Sequence, residues 1–155
     1  MGRITILIFS ILASSCATGI AHPDSSAIEQ VREAVFRFQL KSLTKDQPLG
    51  AVYFLSVEGE SDPSSTLMGR LVASGFPVKP LSASERTFDG GIHPIWVDRQ
   101  TRVSGDRLQI NNVTFHSGQS ATVDGVYGLV GGEFQVQRHK DGTWTVKKER
   151  ITSIV

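Results

Sequence analysis

Val123-Asp124-Gly125-Val126-Tyr127-Gly128-Leu129-Val130, then Phe134-Gln135-Val136-Gln137-Arg138-His139, then Trp144-Thr145-Val146-Lys147-Lys148 form three consecutive β-type runs. Each is rich in β-branched or aromatic residues and bounded by turn formers. Gly131-Gly132 reads as a bend between the first two runs. Lys140-Asp141-Gly142-Thr143 reads as a hairpin turn, because an Asp-Gly pair tolerates the positive φ values of a tight reversal. Trp144 and Val146 then share one face of the last strand. Strands joined by such short connections are antiparallel, and such a sheet needs a cover for one face.

Further toward the N-terminus, Ile95-Trp96-Val97, Val103 and Leu108-Gln109-Ile110 are also β-type, with Ser104-Gly105-Asp106 as the turn between them. Asn111-Asn112 interrupts the alternation before Val113 and Phe115, which predicts a bulge. Ser82 to Gly91 is polar and glycine-ended and reads as a loop or an irregular edge. Ala51-Val52-Tyr53-Phe54-Leu55-Ser56-Val57 lies between Pro48-Leu49-Gly50 and Glu58-Gly59, and its continuous apolar character predicts a largely buried strand.

Two helices supply the cover. Ile28, Val31, Val35 and Phe38 recur at helical steps, widened by Phe36, Leu40 and Leu43, with Glu29, Arg32, Gln39 and Lys41 facing outward. Ser26 and Glu29 have the spacing of a capping box. A shorter helix follows, with Asp62 as N-cap, Pro63 at its first position, and Leu67, Leu71 and Val72 on its apolar edge. Gly75 and Pro77 end it. The expectation is an α+β fold: an N-terminal amphipathic helix and a second short helix packed on a curved antiparallel sheet of about four to six strands. One domain spans 26–155, after a polar linker at 22–25.

Residues 1–21 read differently. Arg3 is followed by the uncharged run Ile4 to Ala21, whose apolar core fades after Leu12 into small residues. That is the pattern of a secretory signal, shorter than the ~20 apolar residues of a membrane span. Cys16 is the one cysteine, so the domain after it carries no disulfide and its core must supply its stability. The chain has 16 basic and 15 acidic side chains, and loss of Arg3 with the leader leaves the two signs equal. A neutral domain without a basic stripe gives no reason to expect nucleic acid as partner.

Leu12-Ala13-Ser14-Ser15-Cys16 resembles the lipobox of bacterial lipoproteins. The resemblance implies cleavage before Cys16, so that the leader is 1–15, and lipid attachment at that thiol. Cleavage after Gly19-Ile20-Ala21 is the rival reading. Either places the protein in the cell envelope or the periplasm, or secretes it. The leading helix and the terminal Gly142-Thr143-Trp144-Thr145-Val146 resemble the cystatin-like/NTF2-like (SnoaL-like) α+β cone. Val31 to Phe38 and Val52 to Ser56 are also similar to small bacterial secreted proteins and lipoproteins, a likeness that implies no activity.

The NTF2-like resemblance implies a possible general base inside the cone, with Tyr53, Asp98, His116, Asp124 and Tyr127 as candidates. Strand alternation puts Asp124 opposite Val123, on the face of Val126, which makes it the foremost inward acid; the competing reading is that it shapes a bulge beside Gly125. Tyr53 and Tyr127 read first as core or rim aromatics with a wet hydroxyl. His93, His116 and His139 lack the short spacings of metal ligands, so no metal and no cofactor is expected. No Gly-x-Ser-x-Gly elbow is present, and no phosphate loop follows the glycines at 90–91 or 131–132. Lys147-Lys148-Glu149-Arg150 reads as a solvated strand face or a contact for lipid headgroups or an acidic partner. The sequence therefore favours a non-catalytic binding or adaptor domain for a protein or small ligand, with the enzyme based on Asp124 as the alternative.

Overall fold

The computed structural model describes residues 24–45, 51–88 and 93–154. The leader with Cys16, the first half of the linker and the Pro48-Leu49-Gly50 boundary lie outside the described residues. Helix α1 (Ser25–Leu43) is capped by Asp24, whose carboxylate accepts the Ala27 N–H at 2.6 Å. Ser26 is therefore not the cap but lies in the first turn, where its Oγ accepts from the Gln30 amide. Asp24 precedes it with a charged oxygen that suits the positive end of the helix better. Glu29, the other half of the expected capping box, instead accepts from Ser64 Oγ at 2.8 Å.

Val31, Val35, Phe36 and Leu40 of α1 are fully buried. Gln39 is buried with them, correcting its outward assignment: it stands four residues after Val35, on the same stripe. Helix α2 (Ser65–Ala73) is capped by Ser64, which accepts the Leu67 N–H at 3.1 Å. Asp62, the expected cap, accepts the Ser82 N–H instead, and Pro63 precedes the cap. At the other end Gly75 takes φ +83°. Its N–H reaches Val72 O and that of Phe76 reaches Leu71 O, a Schellman closure.

Among the described residues eight strands form one open, mixed sheet: β1 (Val52–Val57), β2 (Val78–Pro80), β3 (Ser84–Thr87), β4 (Ile95–Asp98), β5 (Ser104–Ser117), β6 (Ser120–Tyr127), β7 (Val130–Arg138) and β8 (Trp144–Ile154). The main order is β2-β1-β5-β6-β7-β8. The β5–β8 stretch is an antiparallel meander, but β1 is parallel to both β2 and β5. The sheet is thus mixed rather than antiparallel, with more strands than four to six. The reason lies in β1, all six residues of which are buried. Tyr53, Leu55 and Val57 join the core under the helices, while Val52 and Phe54 pack with Leu81 and Trp96 on the opposite face. A strand covered on both faces suits parallel pairing.

Three local expectations change. Ser84–Thr87, read as a loop or an irregular edge, is the edge strand β3, paired antiparallel with β4. Ser104-Gly105-Asp106 begins β5, and the reversal before it lies at Arg99–Arg102. There Asp98 accepts the Gln100 and Thr101 amides at 2.8 and 3.0 Å, and Arg102 takes φ +63°. Gly128-Leu129 turns β6 into β7, whereas Gly131 and Gly132 lie within β7 at a register shift against β8. A register shift between Ile110 and Asn112 stands where Asn111-Asn112 interrupts the pattern.

The larger core brings Val31, Val35, Phe36 and Leu40 against Leu67 and Leu71 of α2 and against Ile110, Val123 and Phe134 of the sheet. Glu33 ties the helices together, accepting from Arg37 Nε at 2.8 Å and Arg70 Nε at 2.5 Å.

Candidate functional site

Strand β5 has a divided edge. Gly105 pairs with Val52 of β1 on one side and Trp96 of β4 on the other. From Leu108 onward β1 keeps its side, and β6 occupies the side on which β4 began. Strands β4 and β6 therefore lie end to end along one edge of β5, leaving a notch beside Asp106 and Arg107.

A cleft of about 570 Å³ opens at this notch. Its walls are Pro94 and Trp96 on one side and Gly128 and Leu129 on the other, with Gly105 and Arg107 between them. A second lobe of about 270 Å³ extends past Arg107 to Arg86 and Val126. Gly105 is required here, since a Cβ would stand 2.2 Å from Val52 O and 2.9 Å from Phe54 Cε2.

Arg107 is anchored where it stands. Its Nε donates to Ser56 Oγ at 3.4 Å, its Nη2 donates to Gly59 O at 3.0 Å, and its guanidinium lies 5.1 Å from the centre of the Trp96 ring. Burial pushes its pKa below the usual guanidinium value; Glu60 opposes that shift and the nearby Arg86 adds to it. The cleft thus joins an aromatic plane, apolar walls and positive charge, a combination suited to binding a small organic ligand.

The residues singled out from the sequence do not converge on this cleft. Asp124 is exposed, correcting its placement as an inward acid. Alternation along β6 sends Ala121 and Val123 into the core, and therefore turns Asp124 out. His116 and His139 are exposed and bond Thr122 Oγ1 and Thr145 Oγ1, each at 2.7 Å. Tyr53 is fully buried with its hydroxyl unpartnered among the described residues; burial, and then Asp106, raise its pKa. Tyr127 donates to Glu149 Oε1 at 2.6 Å, and its pKa is pushed up to about 12 by burial and by that carboxylate.

Asp98 is buried but committed to structure. Its carboxylate faces Lys79 Nζ, and that partner, with the turn amides, lowers its pKa to about 2. Of the three histidines among the described residues, His93 lines the cleft and His116 and His139 do not. Among the described residues no cluster of three or more His, Cys, Asp or Glu could hold a metal ion, and no helix is long and apolar enough to cross a membrane.

Sequence reasoning did not find the cleft, because its residues come from five strands and a turn with no common spacing. The one available signal was Trp96 beside Pro94, an aromatic in a short strand with little room for a full core of its own. Compared with known protein families, with curated proteins and with solved structures, the chain matches none of them.

Proposed function

We propose that this chain is an exported bacterial binding domain without catalytic activity, which takes a small ligand in the cleft between Trp96 and Leu129. The observation that carries the reading is the notch with its aromatic wall and apolar rim: Phe36, Leu40 and Phe134 fill the core beneath the helices, and the hollow of equal volume between α1 and the hairpin at 138–144 is lined mainly by polar and charged side chains. The acid on which the alternative enzyme reading relied faces solvent. Export and attachment at Cys16 rest on the lipobox-like leader. The NTF2-like relationship is a proposal of the same kind, supported by a helix packed across an open sheet.

The chain has two tryptophans, and Trp144 is buried against Phe115 in the larger core, apart from the cluster that Trp96 joins. Trp96 emission therefore reports on the cleft. A small-molecule screen should yield compounds that change the emission of the parent but not of Trp96→Phe. Compounds that act equally on both, or a screen without any, refute the site. Export is tested by intact mass of the full chain expressed in a bacterium, beside Cys16→Ala. A lipidated species beginning at Cys16 and lost in the variant supports the anchor; one beginning at His22 in both supports simple cleavage; an unprocessed chain refutes export.

A further inference from the structure

Resting on the reading of the notch as a ligand site, we infer that its ligand is a small amphipathic monoanion: a single carboxylate on a flat apolar body. The first observation is Arg86. Its side chain is exposed, its guanidinium lies 5.3 Å from the Phe88 ring centre, and it makes no hydrogen bond or ion pair among the described residues. Two acids that border a hollow with Arg86 are engaged elsewhere: Glu85 pairs with Arg102, and Glu60 stands 3.8 Å from Arg107 Nη1.

The second observation is that Arg86 and Arg107 border the same lobe, with Arg107 locked by Ser56 and Gly59. Two guanidiniums on one lobe repel each other, and a carboxylate between them would relieve that repulsion with charge-assisted, bidentate hydrogen bonds. Glu60 already offsets part of the Arg107 charge, so the lobe has room for one negative charge rather than two. The third observation is the apolar rim. Leu129 and Val103 are each 43% exposed beside Trp96 and Pro94, large aliphatic groups left in water at the mouth of the cleft. A flat body laid between Trp96 and Leu129 would cover them while its head reached the arginines.

Asp106 also lines the larger lobe, so a cationic ligand is the direct competitor and belongs in the test. The full domain, labelled with ¹⁵N, is titrated at fixed ionic strength with 4-biphenylcarboxylate, 4-biphenylmethanol and 4-biphenylmethylamine. The two indole N–H signals are followed, the Trp96 signal being assigned with Trp96→Phe. The carboxylate is expected to shift the Trp96 signal and to bind about tenfold more tightly than the alcohol, the scale of one charge-assisted hydrogen bond. Arg86→Gln, at an exposed site without a hydrogen bond or ion pair among the described residues, should abolish that advantage. Equal or tighter binding of the alcohol or the amine overturns the anion inference while the binding reading survives. An unchanged ratio in Arg86→Gln overturns the role of Arg86. Failure of all three compounds to move Trp96 refutes both the inference and the site.

Discussion

Replacing Gly105 by alanine tests the architecture of the notch directly. The added methyl would stand 2.2 Å from Val52 O, 2.6 Å from Val52 Cγ1 and 2.9 Å from Phe54 Cε2. The nearest of these atoms belongs to the backbone and cannot rotate away, so β1 and β5 must separate. Overpacking typically costs about 1–3 kcal/mol, and a clash with main chain belongs at the upper end, about 3 kcal/mol. That is a fifth or more of the ~5–15 kcal/mol that holds an ordinary domain together. Gly69 supplies the control: it lies exposed in α2, and a methyl added there would meet nothing within 4 Å. Alanine at that position should stabilise by about 0.5–1 kcal/mol, since glycine inside a helix costs that much. Urea denaturation compares the two variants. At a slope of about 2 kcal/mol/M, Gly105→Ala should lower the midpoint by about 1.5 M and Gly69→Ala should raise it slightly. If Gly105→Ala lies within about 0.5 kcal/mol of the parent, the close approach of β1 to β5 is wrong.

Glu33→Ala should cost about 1–2 kcal/mol, because its largely buried carboxylate joins Arg37 and Arg70; a thermal midpoint equal to the parent's would count against the tie between the helices. Asp98 titrates near pH 2 when folded, against an ordinary value of 3.8, so its contribution is complete above that ordinary value and is lost as pH falls toward 2. Asp98→Asn should flatten that part of an acid-denaturation curve, and retention of the parent's full slope there would contradict the assignment. Tyr127 is raised from 10.0 to about 12, so the parent should lose stability as pH rises through that window, and Tyr127→Phe should lose less. Absorbance at alkaline pH locates the phenolate, and a Tyr127 that ionises near pH 10 would refute its bond to Glu149.

The parts of the fold that were legible in the sequence are those set by local pattern. The run of β1, apolar but for Ser56, the hairpin at Asp141-Gly142 and the Asn111-Asn112 irregularity are written into neighbouring residues. Caps were legible only approximately, because Asp24, Ser25 and Ser26, like Asp62, Ser64 and Ser65, offer several competent oxygens in succession and tertiary partners choose among them. Glu29 was diverted by Ser64, a residue on the other helix. Strand β3 was hidden because Ser-Glu-Arg-Thr carries no apolar alternation and gains its order from β4. The parallel pairing of β1 left one trace, a run apolar on both faces, but a run of that length fits an antiparallel core strand as well. Asp124 was misjudged because alternation gives which residues share a face and not which face is covered.

Because β4 and β6 follow one another along β5, the sheet contains a seam. On one side of it the β3–β4 hairpin is held to β5 by two paired residues and by the small cluster of Val52, Phe54, Leu81 and Trp96. On the other side β6 is paired along most of its length and backed by the larger core. Such unequal parts open with unequal ease, the weaker one without disturbing the stronger. The two walls of the cleft belong to different sides of this seam. A ligand at the proposed site between Trp96 and Leu129 would in that sense be a rivet, fastening the sparsely paired hairpin to the more extensively paired body.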